Sequence, residues 1–294
     1  MTRLPDMSAT QFCTRFAPSP TGPLHLGHAY SAILAHDMTQ AQGGRFLLRI
    51  EDIDRSRARP EWEEMIYDDL RWLGLSWERP VLRQSDRQAA YDAALDDLWG
   101  RGLLYVCSCT RRDIAAAIEA PQEGVPPAIG PDGVIYPGTC RPDVAPNGPR
   151  PRDQALRLDM RRALQHCGAP LAFVETGPVH PGAFQMTADD ILSGIGDIVL
   201  ARRDMGTSYH LSVVLDDAFQ DITHVVRGAD LFEATIIHVL LQQLLHLPTP
   251  QYHHHRLIRD DQGKRLAKRD DARSLQHYRQ AGLTPGKIRK MLKL

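Results

Sequence analysis

The sequence is poor in the features that send a chain out of the cell or into a membrane. Residues 1–10 lack an apolar core of signal-peptide type, and no apolar run approaches membrane-spanning length. Five cysteines in 294 residues do not resemble a secreted disulfide framework. A cytoplasmic protein without a membrane partner is expected. Net charge is nearly absent too, −1 in total, which argues against a general polyanion binder. The average hides an asymmetry. From Arg256 to Leu294 there are twelve Lys and Arg against four Asp, while Asp68, Asp69, Asp92, Asp96 and Asp97 make an earlier stretch acidic. The basic end suits phosphate or RNA contact, although a solvated surface with scattered arginines has the same composition. The rest is ordinary: 43% hydrophobic and 24% charged residues, in a chain long enough for one or two domains with a large core.

The organising stretch is Arg15-Phe-Ala-Pro-Ser-Pro-Thr-Gly-Pro-Leu-His-Leu-Gly-His28. Gln11 to Phe16 reads as a short buried strand, and Pro18, Pro20, Gly22 and Pro23 then forbid regular structure. Past His28, Tyr30, Ile33, Leu34, Met38 and Ala41 form a helical stripe that stops at Gly43-Gly44. A strand therefore runs through a stiff loop into a helix whose start carries His25 and His28. A helix N-terminus offers unpaired N–H groups and partial positive charge, which suits a phosphate. Gly27 allows close backbone approach, and two imidazoles can donate to charge developing on a phosphoryl group. His-x-Gly-His alone fits a structural role equally well; the preceding Arg-Phe-Ala-Pro-Ser-Pro-Thr-Gly makes the signal specific.

Phe46 to Ile50 reads as a buried parallel strand, which completes a right-handed βαβ unit and begins a doubly wound sheet. Glu51, Asp52 and Asp54 fall at its carboxyl end, where open α/β sheets bind ligands, although Asp52 and Asp54 also suit capping or loop solvation. Amphipathic helices follow at Glu61–Leu73 and Asp86–Trp99, then a strand from Leu103 to Cys109. Pro121 to Pro151 is rich in proline and glycine, as an exposed insertion would be. Cys107, Cys109 and Cys140 are soft ligands suited to zinc, which takes four; three reduced free thiols are the alternative. Leu156–Asp159 and Leu171–Glu175 read as strands of a small inserted domain, and Asp197–Arg202 as a return to the central sheet. Tyr209–Asp216 reads as helix, Asp221–Val226 as strand, and Asp230-x-x-Glu233 as the capping box of an apolar helix to Leu245. Tyr209 and Arg227 stand at element boundaries facing the expected crevice; core packing and a surface ion pair are the ordinary alternatives. His253-His254-His255 is not a metal tract, because neighbours in an extended chain point to alternate sides.

Residues 15–28, Arg49-Ile-Glu-Asp-Ile-Asp-Arg55, Val226-Arg-Gly-Ala-Asp-Leu231 and Gly263-Lys-Arg-Leu-Ala-Lys-Arg269 occur in the order found in class I aminoacyl-tRNA synthetases. The chain resembles their glutamyl branch over nearly its whole length. The resemblance implies a Rossmann-like catalytic fold split by a small zinc-bearing α+β domain. Its halves would be residues 1–106 and 197–294, with the RNA-facing insertion at 107–196. It implies a glutamate pocket of Arg15, Ala17, Ser19, Glu51, Tyr209 and Arg227. There Glu51 meets the amino group and Arg227 clamps the side-chain carboxylate bidentately. ATP would lie on His25, Gly27, His28, Arg265 and Lys268, with Mg²⁺ on its phosphates, and His254 near the adenine. His25, His28 and Lys268 would act in the chemistry. In the second signature only Lys268 keeps a lysine place; Arg265, Ala267 and Arg269 depart from Lys-Met-Ser-Lys-Ser.

Asp270–Leu294 has no room for an anticodon-binding domain of either long glutamyl or glutaminyl type, so none is expected. Cys-x-Cys with Tyr136 and Cys140 resembles the short branch that forms glutamyl-adenylate without tRNA and esterifies queuosine at the wobble position of tRNA(Asp). In that branch the fourth zinc ligand falls on Tyr136, with His166 or Cys167 as substitutes. The implied partners are ATP, L-glutamate and the queuosine-bearing anticodon arm, bound by a monomer. Two alternatives stay open: a glutamyl-tRNA synthetase charging a tRNA 3′ end, and a non-catalytic RNA- or nucleotide-binding relative.

Overall fold

The computed structural model describes residues 11–119, 128–167, 170–259 and 273–294. Strand β1 (Cys13–Phe16) leads through the proline loop into helix α1 (Leu26–Ala41), and β2 (Arg45–Ile50) returns parallel to β1. The helix stop is enforced twice. Gly43 sits at φ +58, and a Cβ on Gly44 would fall 2.1 Å from the Phe12 carbonyl oxygen. Helix α2 (Pro60–Trp72), begun by Pro60, crosses to β3 (Glu78–Arg83), again parallel. Helix α3 (Gln88–Gly100) is preceded by a separate 3₁₀ turn at Gln84–Arg87, so the helix expected from Asp86 starts two residues later.

The middle of the chain contributes β4 (Leu104–Val106), α4 (Arg111–Glu119), the hairpin β5 (Ile129–Gly130) and β6 (Gly133–Val134), then β7 (Leu156–Leu158) and α5 (Met160–His166). Strands β8 (Leu171–Glu175) and β9 (Gly182–Met186), helix α6 (Ala188–Gly194) and β10 (Val199–Ala201) come next. Helix α7 (Tyr209–Phe219), β11 (His224–Gly228), α8 (Thr235–Leu244), β12 (Gln251–His255), α9 (Leu275–Gln280) and α10 (Pro285–Leu292) finish the chain.

Three readings change here. Val199–Ala201 pairs antiparallel with β7, which pairs antiparallel with β4, so β10 lies outside the parallel sheet. Leu171–Glu175, expected in the insertion, joins the parallel sheet beside β12 through Glu175 and Tyr252. Apolar runs of three to five residues do not encode their partner, only their burial. The capping box at Asp230 is absent: a 3₁₀ turn spans Ala229–Leu231, and α8 begins after Ala234 with no side-chain cap.

Strands β3-β2-β1 and β11-β12-β8-β9 stand edge to edge. Cys13 N–H donates to Thr223 Oγ1 at 2.8 Å, and Thr223 N–H to the Cys13 carbonyl at 3.1 Å. Alternate residues face opposite sides of this sheet. Leu47 and Val225 join an apolar cluster with α3, α5, α6, α7 and α8, while Leu48 and Val226 join another with α1, α2, α9 and α10. The sheet is therefore covered on both faces. Its strand order reverses between β1 and β11, where such sheets open a ligand crevice at their carboxyl ends.

Candidate active site

A cleft of about 680 Å³ occupies that crevice. All nine described residues expected at the amino-acid and ATP sites line it: Arg15, Ala17, Ser19, His25, Gly27, His28, Glu51, Tyr209 and Arg227. Arg265 and Lys268 lie outside the described residues. The segment that follows residue 272 is anchored beside the first signature: Leu275 N–H donates to the Leu24 carbonyl at 2.8 Å, and Ser274 bridges His25.

His25 and His28 cap α1 reciprocally. His25 Nδ1 accepts from Gly27 N–H at 3.1 Å, and His28 Nδ1 accepts from His25 N–H at 3.2 Å. The rings stack with centroids 3.8 Å apart. Because both Nδ1 atoms accept, each neutral ring carries its proton on Nε2. Gly27 serves this cap, since a Cβ there would lie 3.0 Å from His25 Cε1.

Deeper in the cleft, Arg15 on β1 and fully buried Arg49 on β2 share Asp217 of α7. Arg15 Nε lies 2.9 Å and an Arg49 Nη 2.7 Å from Asp217 Oδ1. A second Arg49 Nη reaches Glu51 at 3.3 Å. Burial opposes ionisation of Asp217, yet the two guanidiniums hold its carboxyl below the ordinary range. Burial wins at Glu51 and pushes its carboxyl up against the pull of Arg49 and Arg15. Tyr209 opens α7 at the same wall, its phenol raised by burial.

Arg227 is held differently. Its Nε donates to His254 Nε2 at 3.0 Å, one Nη to His238 Nδ1 at 3.0 Å, and the other to Thr235 Oγ1 at 2.9 Å and the Leu231 carbonyl at 3.3 Å. Every partner is neutral, and no carboxylate among the described residues pairs with it, although it is only 7% exposed. Counting Arg15, Arg49 and Arg227 against Asp217 and Glu51 leaves one positive charge over. Four of its five N–H donors are engaged, so a fully bidentate clamp requires giving up the long Leu231 contact. The three consecutive histidines alternate as strand residues must. His254 is fully buried against Arg227 and Glu175, whereas His255 lines the cleft and accepts from Ser31. The residue facing the cleft is thus His255, one position beyond the one expected near the adenine.

Away from the cleft, the sulfurs of Cys107, Cys109 and Cys140 lie within 4.8 Å of one another. Tyr136 Oη is 3.6 Å from Cys107 Sγ and 3.4 Å from Cys109 Sγ, and Cys109 and Cys140 are 3.3 Å apart. A tetrahedral zinc with S and O ligands has edges of about 3.4–3.8 Å; both Tyr136 contacts fall in that range and the Cys109–Cys140 pair lies just short of it. Arg157 stacks 3.9 Å over the Tyr136 ring and donates to Cys107 Sγ at 3.3 Å. Burial opposes it, but hydrogen bonds from Tyr136 and Cys109 bring the Cys140 thiol down to about 6. His166 bonds the Arg162 carbonyl and Cys167 stands outside the cluster, so neither replaces Tyr136 here.

The family description "tRNA synthetases class I (E and Q), catalytic domain" matches residues 11–127 and 182–294. The chain belongs to that family. It is a ligase of the class I synthetase type. A protein of Rhodobacter capsulatus named glutamyl-Q tRNA(Asp) synthetase is 62% identical over 96% of this synthetase and 99% of its own length. One of the same name from Nocardia farcinica is 41% identical over 95% of this chain and 82% of its own. The solved glutamate tRNA ligase of Elizabethkingia meningosepticum, in complex with its amino acid, superposes with a TM-score of 0.67 at 28% identity. It is matched over 88% of this chain and 52% of its own, so this chain spans about half of it. Methionyl-tRNA synthetase of Mycobacterium tuberculosis, at 12% identity and TM-score 0.58, shares the fold.

Several residues that shape the synthetase's cleft escaped the sequence reading: Arg49, Asp217, His238 and Glu175. A signal existed for one of them. Asp216-Asp217 interrupts the otherwise apolar run Val213 to Phe219, and two acids in a buried helix face need partners. Asp216 finds Tyr91 at 2.7 Å, Gln84 at 3.0 Å and Arg87 at 3.3 Å. The long-range partners of Arg227 left no such trace.

Proposed function

We propose that the synthetase activates L-glutamate with ATP and transfers it to the queuosine base of tRNA(Asp). The glutamate α-carboxylate attacks the ATP α-phosphorus; a P–O bond forms as pyrophosphate leaves. A hydroxyl of the queuosine ring then attacks the adenylate carbonyl, and AMP departs with the bonding electrons. The charge balance of the cleft carries the amino-acid assignment. One buried guanidinium, Arg227, pairs with no carboxylate among the described residues, and Glu51 lines the same cleft as an acceptor for the amino group. The side-chain carboxylate of glutamate would give Arg227 its anion, and the ammonium would meet Glu51. The Nε2–H groups of His25 and His28 would donate to the phosphates, with Lys268 adding charge and Mg²⁺ travelling on the nucleotide. No side-chain nucleophile is needed; positioning and charge neutralisation suffice.

The acceptor assignment rests on the relatives named glutamyl-Q tRNA(Asp) synthetase, including the one 62% identical. Cys107, Cys109, Tyr136 and Cys140 would hold a zinc ion with no open position, hence structural. The basic stretch 256–294 would contact phosphates, which sets position without choosing a base, while an unstacked loop nucleotide entering the cleft would supply selectivity.

The deciding experiment supplies radiolabelled glutamate and ATP with queuosine-containing and queuosine-free tRNA(Asp), alongside pyrophosphate exchange without tRNA. Exchange without tRNA and label only on the queuosine-containing species are expected. Equal labelling of both, or label on the 3′ end of tRNA(Glu), would refute the acceptor and favour ordinary aminoacylation.

A further inference from the structure

Arg227 does not stand alone in the wall of the cleft. An arginine only donates, so each imidazole it touches must present a lone pair, which fixes the tautomer of every ring behind it. His238 accepts at Nδ1 and so carries its proton on Nε2, 3.1 Å from His210 Nδ1. His210 in turn must carry its proton on Nε2, 3.2 Å from Asp132 Oδ1. On the other side, His254 accepts at Nε2 and donates from Nδ1 to the buried Glu175. Glu175 is itself fixed by the backbone N–H groups of Gly177 at 2.6 Å and His254 at 2.8 Å.

Arg227 is thereby tied to two carboxylates, each through imidazole. The short arm ends in the parallel sheet. The long arm runs through α8 and α7 to Asp132, in the tight turn between β5 and β6, four residues before Tyr136. Direct ion pairs would orient the guanidinium but cancel its charge, as Asp217 and Glu51 do together for Arg15 and Arg49. Imidazole spacers orient it and leave the charge for a ligand. Burial, with Arg227 close by, drives the His238 imidazole well below its ordinary range and so keeps the spacer neutral.

We propose that His238 and His210 are positioning residues for Arg227, and that Asp132 completes their relay. The insertion would then take part in holding the amino acid. This deepens the glutamate reading and rests on it for its kinetic consequence.

Two measurements test it on the full-length, metal-loaded protein. Long-range ¹H–¹⁵N correlation of ¹⁵N-histidine-labelled protein reads each tautomer, with His210 and His238 assigned by single substitution. Nε2–H forms are expected for both, and the Nδ1–H form for His254. In pyrophosphate exchange, His238→Leu should raise KM for glutamate about tenfold or more, the loss of one charge-assisted hydrogen bond, with KM for ATP within about threefold. His238→Asn, whose Oδ1 replaces the Nδ1 lone pair, should restore most of it. Asp132→Ala should raise KM for glutamate about threefold and Asp132→Asn less, as expected of a partly exposed end. An Nδ1–H form at His238, equal effects of Leu and Asn, or KM for ATP rising in step would overturn the relay. Absence of glutamate-dependent exchange in the unaltered protein, with the tautomers as expected, would instead refute the pocket's amino acid and leave the relay standing.

Discussion

Replacing Arg227 by lysine keeps a charge at the cleft wall and removes everything that aims it. Four hydrogen bonds disappear: to His254, His238, Thr235 and the Leu231 carbonyl. Lysine is a mobile point charge and cannot reproduce a planar fork across these acceptors. The ligand itself loses one charge-assisted hydrogen bond, worth about 1.5–3 kcal/mol, or roughly 10- to 150-fold. Glutamate-dependent pyrophosphate exchange should therefore show KM for glutamate raised by about that factor, with KM for ATP changed less than about threefold. ATP is the internal control, because the expected phosphate donors His25 and His28 sit at the start of α1, whereas Arg227 bonds His254, His238, Thr235 and Leu231. Equal effects on the two substrates would refute the reasoning and take Arg227 out of the amino-acid pocket.

Two further outcomes follow from buried groups elsewhere. Extensive dialysis should leave one zinc per chain, and Cys109→Ser should lose it together with a lower Tm; retention of the metal by that variant would remove Cys109 from the site. Asp69 on α2 is fully buried, neither carboxylate oxygen has a hydrogen-bond partner among the described residues, and burial with the neighbouring Asp68 raises its pKa to about 7. A carboxyl whose folded pKa exceeds its unfolded value takes up a proton on folding, so its contribution to stability falls as pH rises from about 4 through about 7. Asp69→Asn should therefore be more stable than the unaltered protein at pH 8, with the difference shrinking towards pH 4 in urea melts. A gap independent of pH would contradict this.

The parts of the fold that were legible in sequence are those with local chemistry. The Gly43-Gly44 stop, Pro60 at the start of α2 and the apolar strand Phe46–Ile50 each carry their cause within a few residues. Leu171–Glu175 and Val199–Ala201 were visible as strands but not as neighbours, since pairing is decided by residues up to eighty positions away. The same division runs through the site. The residues that face the cleft sit in dense local strings, whereas His238, Glu175 and Asp217 reach their arginine and histidine partners from separate elements. The three histidines at 253–255 combine both cases: alternation was legible, the phase was not.

The neutral company of Arg227 has a consequence for discrimination between amino acids. Glutamine is nearly the same size as glutamate, so a wall of the cleft cannot separate them by shape. If Arg227 receives the side chain as proposed, a buried cation paired with no carboxylate among the described residues would make the distinction electrostatically: a carboxylate would complete the site, and an amide would leave an unmatched charge. Such a filter tolerates small errors of fit but not of charge, and, being buried, it should resist added salt. Aspartate fails for the opposite reason, having the right charge on a stem one methylene too short to bring it there.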